Sequence, residues 1–286
     1  MRVLITGASG QLGQDLLALL PGDQAVGLSH HELDVADTHA VHAAVAQQRP
    51  DVVINAAAWT DVDGAESNEA AAAAVNRDGP ANFAAACAEH NAALVHISTD
   101  YVFDGTAAQP YDEDTPVAPR SAYGRTKAAG ERAALAAGGP CYVVRTAWLY
   151  GAGGRNFVRT MAGLARGDQP VKVVDDQRGA PTWTRDLAAG LLELIDKRPA
   201  PGIYHATSTG DTTWFGFARA IFDEVGADPG RVHPVPTDAF PRPAPRPAYS
   251  VLSAGRWVAA GLAPLPHWRT SLTTAIATEG TALIGT

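Results

Sequence analysis

Residues 2–20 read RVLITGASGQLGQDLLALL. An apolar β-branched run, glycines at 7, 10 and 13, and then leucines at helical spacing predict a strand over 2–6 that turns directly into a helix. Gly7 permits a tight bend, Gly10 lets the backbone approach a phosphate, and Gly13 lets the helix pack closely on the strand. A helix N-terminus opening at that turn favours a pyrophosphate. The spacing is G-x-x-G-x-x-G, one residue longer than the common dinucleotide fingerprint, so the position of the turn between strand and helix carries the reading. The competing reading is a glycine-rich turn that only packs a βαβ unit.

The same rhythm continues outward. Strand-like runs recur at 25–28 (AVGL), 51–57 (DVVINAA), 93–99 (ALVHIST) and 141–150 (CYVVRTAWLY), separated by helical patterns such as THAVHAAVAQQR and EAAAAAVNRDGPANFAAACAEH. Alternation of this kind predicts an α/β fold with a doubly wound, Rossmann-type parallel sheet, and the nearly unbroken apolar strands fit a sheet covered on both faces. After Tyr150 the alternation changes, and TWFGFARAIFDEVG predicts a helix capped by Thr213 and stopped at Gly226. AFPRPAPRPAYS carries four prolines in seven residues, which predicts an extended loop. The expected organisation is a dinucleotide-binding Rossmann domain over 1–150 and a smaller substrate-binding domain over 151–286, with part of 170–210 returning to the first. Ligands are expected at the C-terminal ends of the strands.

Bulk properties exclude several classes. The 286 residues are 46% hydrophobic and carry a net charge of -8, which argues against a general nucleic-acid binder. No stretch approaches 18 uninterrupted apolar residues, and the N-terminus enters a strand without a secretory pattern, so no membrane association and a cytoplasmic location are expected. Cys87 and Cys141 are too few for a disulfide framework and are expected buried and reduced.

Two positions refine the dinucleotide reading. A carboxylate at the end of the second strand would hold the 2′-hydroxyl of an unphosphorylated ribose. Here Ser29, His30 and His31 come first and Glu32 only afterwards, so NADPH is expected, with NADH possible. Asp34, in LDVAD, is a candidate acceptor for an adenine amino group, with Val35 beside it; the plain alternative is a turn aspartate.

Chemistry is expected where the run VHISTDYVFDG ends its strand at Ser98 and Thr99. The two side chains point to opposite faces, so at most one addresses a given ligand. Tyr123 and Lys127 follow at i and i+4 on a predicted helix. Adding hydride to a carbonyl demands a proton at the oxygen, and a phenol with its ordinary pKa of about 10 is a reluctant donor. An ammonium beside it is expected to draw the phenol toward the working range, while the Thr99 hydroxyl holds the carbonyl.

The glycine turn, AAWT at 57–60, STDYVFDG at 98–105, YGRTK at 123–127, RTAWLYG at 145–151, DQRGAPT at 176–182 and RPAYSVLS at 246–253 together resemble the extended short-chain dehydrogenase/reductases, and within them the dTDP-4-dehydrorhamnose reductase family. The likeness runs from about residue 2 to about residue 255. It implies NAD(P)H-dependent reduction of the C4 ketone of a dTDP-sugar, with Tyr123 as proton donor, Lys127 as its partner and ribose ligand, and Thr99 positioning the carbonyl. It implies cofactor contacts from Gly7, Gly10, Gln11, Leu12, Gly13, Asp34, Val35, Ala58, Trp59 and Thr60. Substrate contacts are implied for Asp100, Trp148, Asn156, Gln177, Pro181 and Thr182, and Arg246 is a candidate for the diphosphate. Some members join subunits through magnesium held by acids of the first helix and of the helix after GAPT. This chain has Asp15 in the first but Arg185, then Asp186, in the second, so no structural metal is expected, and the protein is expected to be a monomer or homodimer. The alternatives are an epimerase or 4-ketoreductase acting on another nucleotide deoxysugar, and a non-catalytic regulatory subunit of the same fold.

Overall fold

A computed structural model describes residues 1–284. The chain runs β1 (Val3–Thr6), α1 (Gln11–Leu19), β2 (Ala25–Leu28), α2 (Thr38–Gln48) and β3 (Val52–Asn55), then a helical arm of α3 (Val62–Ser67), α4 (Glu69–Ala73), a π-helical turn Ala74–Asp78 and α5 (Gly79–His90). β4 (Ala93–Thr99), α6 (Ala122–Ala136) and β5 (Cys141–Thr146) follow. The remainder is β6 (Leu149–Tyr150), α7 (Phe157–Ala165), β7 (Val171–Val174), β8 (Arg178–Gly179), β9 (Thr182–Trp183), α8 (Thr184–Lys197), β10 (Gly202–His205), β11 (Thr212–Thr213), α9 (Trp214–Glu224), β12 (Val232–Val235), α10 (Gly255–Ala259) and α11 (Trp268–Ile284).

Six parallel strands form the central sheet in the order β2-β1-β3-β4-β5-β10. The order reverses between β1 and β3, and a crevice at the carboxyl ends of strands on either side of such a switch is where open α/β sheets bind ligands. Alternate side chains feed two cores, as the pleat requires. Val3, Ile5, Val52, Ile54, Val95, Ile97 and Val144 pack against α1 and α8. Leu4, Val53, Leu94 and Val143 face α2 and α5 on the other side. Burying these residues on both faces contributes about 25 cal/mol per Å² of apolar surface, which is what makes the continuous apolar strands stable in the middle of the sheet.

α8 and β10 belong to the sheet although they follow Tyr150: Leu187, Leu191 and Leu194 join the first core, and β10 pairs with β5. A separate core gathers Val158 and Met161 of α7, Val171 and Val173 of β7, Phe217 and Ile221 of α9 and Leu272 of α11. Thr213 caps α9 by accepting from the Gly216 N–H, and Gly226 turns the chain out of it at φ +75°.

The run 141–150 departs from the single strand its composition predicts. It breaks at Ala147–Trp148, where Trp148 adopts φ +48°. A bulky residue in the left-handed region is held there by its surroundings. Its ring stacks on Trp214, with centroids 3.6 Å apart and planes 6° off parallel, and lies so close to Gly179 that a Cβ there would sit 2.5 Å from it. Tertiary stacking overrides the strand propensity of the sequence.

Candidate active site

The glycine turn forms a cradle at the switch point. Gly7 sits at φ +67° against β3, where a Cβ would lie 2.8 Å from the Ala56 backbone. A Cβ on Gly13 would come within 2.3 Å of the Gly7 carbonyl, so helix and turn pack at a distance only glycine allows. Gly10 precedes α1 in an extended conformation, and no side chain caps the helix. Its first-turn N–H groups are therefore left for an anion, and the residues present fit a dinucleotide pyrophosphate. Leu12 is buried beneath the turn, while the Gln11 side-chain oxygen accepts from Asn156 Nδ2 at 3.1 Å.

The adenosine side differs from expectation in one respect. Glu32 folds back so that its carboxylate accepts from both the Ser29 N–H (2.8 Å) and the Ser29 hydroxyl (2.7 Å), and the hydroxyl contact holds its pKa below the usual range. An acid thus stands beside the end of β2 after all, four residues later in sequence than the strand's last residue, Leu28. Asp34 accepts from the Ala36 N–H at 3.0 Å in a turn, and the buried Val35 offers its carbonyl to Asn82. Ala58 and Trp59 are half-buried and Thr60 is exposed. Trp59 packs with Tyr123 and Ala122.

Ser98 and Thr99 separate as the pleat requires. Ser98 donates to Glu131 in the interior, whereas Thr99 lies against the Tyr123 phenol and donates to Asp100 Oδ1 at 2.9 Å. Burial pushes the phenol up to about 12, and the Thr99 hydroxyl acts the other way by favouring the ionised form. The expected lowering by Lys127 is absent, because its ammonium end points elsewhere: Nζ donates to the Ile97 carbonyl at 2.6 Å and faces His96 Nε2 at 3.5 Å. Burial brings Lys127 down to about 8. Asp100 is 3% exposed and burial lifts it to about 6 while the nearby Ser250 and Thr99 hydroxyls pull it back down; its Oδ2 has no partner within hydrogen-bond geometry among the described residues.

The residues expected at the substrate are divided. Gln177 and Arg246 line a cleft of about 570 Å³, whose walls also include Phe157, Trp214 and Phe240. Arg246 is already engaged, its Nη2 donating to Asp63 at 2.8 Å. Trp148 approaches the cleft through its stack on Trp214. Asn156 caps α7 by accepting from the Arg159 N–H at 2.9 Å, and its Nδ2 joins that helix to Gln11. Pro181 is buried, and Thr182 is fully buried, accepting from the Ser208 N–H at 3.2 Å; neither lines the cleft. Where α1, α8 and α11 meet, Asp15 and Glu279 are raised by burial, and Arg185 comes within 3.6 Å of Glu279. Among the described residues no group of His, Cys, Asp and Glu is placed to hold a metal ion.

Several site residues escaped the sequence. Asn76 lies in the π-turn, 1% exposed, where it accepts from the Trp59 N–H (2.9 Å) and donates to the Trp59 carbonyl (3.1 Å) and Thr126 (3.1 Å). It ties the loop after β3 to the helix that carries Tyr123 and Lys127, and π-turns recur at functional sites for this kind of reason. The one signal was a polar residue inside an alanine-rich helix. Glu131 and Arg145 form a buried bidentate pair (2.9 and 2.7 Å) that fixes α6 to β5; only the fold reveals it.

A cradle for a dinucleotide beside a buried tyrosine, threonine and lysine at the end of β4 defines an oxidoreductase of the short-chain dehydrogenase/reductase kind. The comparisons agree. Residues 1–280 match the family model described as the RmlD substrate binding domain, and the chain belongs to that family. It is 54% identical over 280 residues to a dTDP-4-dehydrorhamnose reductase of Streptomyces griseus, covering 95% of this chain and 92% of the relative. It is 51% identical over 275 residues to a probable dTDP-4,6-dihydroxy-2-methyloxan-3-one 4-ketoreductase of Streptomyces antibioticus, covering 95% and 93%. A Bacillus anthracis dTDP-4-dehydrorhamnose reductase solved in complex with NADP superposes with a TM-score of 0.93 at 37% identity, covering 96% of this chain and 98% of that one. No helix among the described residues is long and apolar enough to cross a membrane.

Proposed function

We propose that the protein reduces the C4 ketone of dTDP-4-dehydro-L-rhamnose to give dTDP-L-rhamnose, with NADPH as the preferred reductant and NADH as a competitor. The observation that carries this reading is the buried Tyr123 phenol against Thr99 at the end of β4, in a chain half identical to relatives bearing that activity in their names. The bound dinucleotide supplies the hydride. Gly7, Gly10 and Gly13 hold its pyrophosphate, and Glu32, drawn back onto Ser29 at the end of β2, is the acid that limits the preference for NADPH and keeps NADH a competitor.

Thr99 and Tyr123 hold the carbonyl oxygen. As the carbon accepts hydride and the carbonyl π bond breaks, the oxygen takes the Tyr123 proton, leaving a phenolate. The single Thr99 hydroxyl proton, held by Asp100 in the free site, turns to the substrate oxygen on binding and then to that phenolate, whose charge it favours. Lys127 takes up the ribose hydroxyls and, as ammonium, lowers the cost of the charge. Asp100 offers its free Oδ2 to a sugar hydroxyl, and the 570 Å³ cleft receives the nucleotide.

A second reading, reduction of the 4-ketone of a different dTDP-deoxysugar, is favoured by the comparable identity to the Streptomyces antibioticus relative. The test is oxidation of NADPH with the 4-keto sugar nucleotide generated in place, with product identification. Formation of dTDP-L-rhamnose supports the first reading, another deoxysugar selects the second, and no oxidation with either substrate rejects both. Tyr123→Phe is expected to lose about 10²–10⁴-fold in turnover while still binding cofactor; full turnover would remove Tyr123 as proton donor.

A further inference from the structure

Lys127 ends in the core rather than in the crevice, and its surroundings restrict its protonation. Asn55, at the end of β3, is fully buried between Thr6 of β1 and His96 of β4. Its Oδ1 receives the Ala57 backbone N–H at 3.2 Å. A backbone N–H can only donate, so the atom facing it must be the amide oxygen, and the orientation of Asn55 is fixed without reference to any side-chain proton. The Thr6 hydroxyl donates to the same oxygen at 2.8 Å. The Asn55 NH₂ therefore faces His96 Nδ1, at 3.3 Å.

An NH₂ group has no lone pair to offer, so Nδ1 must be the acceptor and the His96 proton must sit on Nε2. That Nε2–H points at Lys127 Nζ, 3.5 Å away. An ammonium has donors only, and it would meet the Nε2–H donor to donor. A neutral amine satisfies both contacts: its lone pair accepts from Nε2–H while one of its own hydrogens goes to the Ile97 carbonyl.

We infer that Asn55 and His96 are positioning residues for Lys127, a tautomer-locked chain that presents an N–H in place of a lone pair and so favours the lysine as a neutral acceptor until a ligand draws it into the crevice. The downward displacement of Lys127 and the suppression of His96 protonation, both led by burial, run in the same direction. The charged groups facing this part of α6 leave the argument intact. Glu131, one turn further along α6, favours the ammonium, but it is paired with Arg145 of β5 and burial outweighs it, so Lys127 is still displaced downward; Asp100 lies beyond the end of β4 against Tyr123, Glu69 of α4 is bound to Arg125, Glu66 of α3 accepts from the Ala122 N–H, and Arg77 and Asp78 pair with each other at the surface. Lys127 must take up a proton from solvent as it leaves the chain to serve as the ammonium of the reaction proposed above; that consequence rests on the proposed reaction, whereas the tautomer does not.

The test uses the cofactor-free full chain. In protein carrying ¹⁵N-labelled histidine, NMR should find His96 as the neutral Nε2–H tautomer across the neutral and alkaline range; an Nδ1–H or charged His96 would overturn the inference. The chain has only three lysines, Lys127, Lys172 and Lys197, so the ¹³Cε titration of Lys127 is resolvable and is assigned by its loss in Lys127→Arg. Asn55→Asp supplies a carboxylate oxygen where the NH₂ stood. It should move the proton to Nδ1, turn Nε2 into an acceptor, and raise the Lys127 midpoint by about one pH unit, a tenfold change in proton affinity. An unmoved midpoint with a folded variant would overturn the inference, and if that variant fails to fold, the wild-type tautomer still decides. These readouts need no substrate, so they succeed or fail independently of the catalytic proposal.

Discussion

At the scale of single residues, protonation is set by burial more than by the neighbours the sequence suggests. Tyr123 and Lys127 share a helix face, yet the phenol is pushed up to about 12 and the lysine down to about 8, because each loses water and Lys127 turns toward Ile97. Asp100 adds to the phenol's reluctance: when ionised, its charge raises the Tyr123 pKa. Replacing it by Asn removes that charge, so the phenol should ionise at lower pH. In Asp100→Asn the alkaline limb of the pH profile of kcat/KM, where the protonated donor is lost, should shift to lower pH; an unchanged limb would separate Asp100 from Tyr123. Glu32 makes a second residue-level case. If its carboxylate, bound to Ser29 at the end of β2, limits the NADPH preference as proposed, Glu32→Gln should raise the ratio of kcat/KM for NADPH over NADH several-fold. A ratio that stays at the wild-type value would place the ribose away from Glu32.

At the scale of elements, α6 is held more firmly than its composition suggests. Its buried face carries Glu131, bound in two places by Arg145 of β5, and Gly130, where a Cβ would lie 2.0 Å from the Asn76 carbonyl of the π-turn. Removing one partner of a buried pair strands a charge, so Arg145→Met should cost about 3–5 kcal/mol in urea unfolding. Replacing both, as Arg145→Met with Glu131→Leu, should recover most of that loss, since no charge is left without a partner. A single variant as stable as wild type would show that the pair does not anchor the helix. The π-turn was not legible, because backbone hydrogen-bond register leaves no trace in an alanine-rich run. The cap of α9 was: Thr213 accepts from the Gly216 N–H as its place before an apolar helical run predicts, whereas the matching cap of α6, Ser121 accepting from the Gly124 N–H, emerged only with the fold.

At the scale of the whole molecule, the proline-rich loop is joined to the helical arm by Arg246 and Asp63, whose Oδ1 also accepts from the Ala244 N–H at 3.2 Å. The loop crosses close to Gly105, where φ is +75° and a Cβ would meet Pro247 at 2.5 Å. It supplies one wall of the cleft through Phe240, Arg242 and Arg246. The ion pair is partly exposed, so Asp63→Asn should change stability by no more than about 1 kcal/mol. Loosening the wall should nonetheless raise KM for the sugar nucleotide several-fold with kcat little changed. Equal KM values for variant and wild type would mean that the loop holds its place without this contact.

The sequence by itself determined the doubly wound sheet, the glycine cradle and the pairing of a strand-end hydroxyl with Tyr123 and Lys127. These depend on local properties: a period of two or 3.6 in apolar residues, φ values open to glycine, and spacing along one helix. Tertiary structure alone decided which way Lys127 faces, that Glu32 returns to β2, and that Trp148 leaves its strand to stack on Trp214. Each of these is settled by a partner distant in the chain or by a fold-back of the loop, and by what burial does to a charge or a ring once that partner is in place.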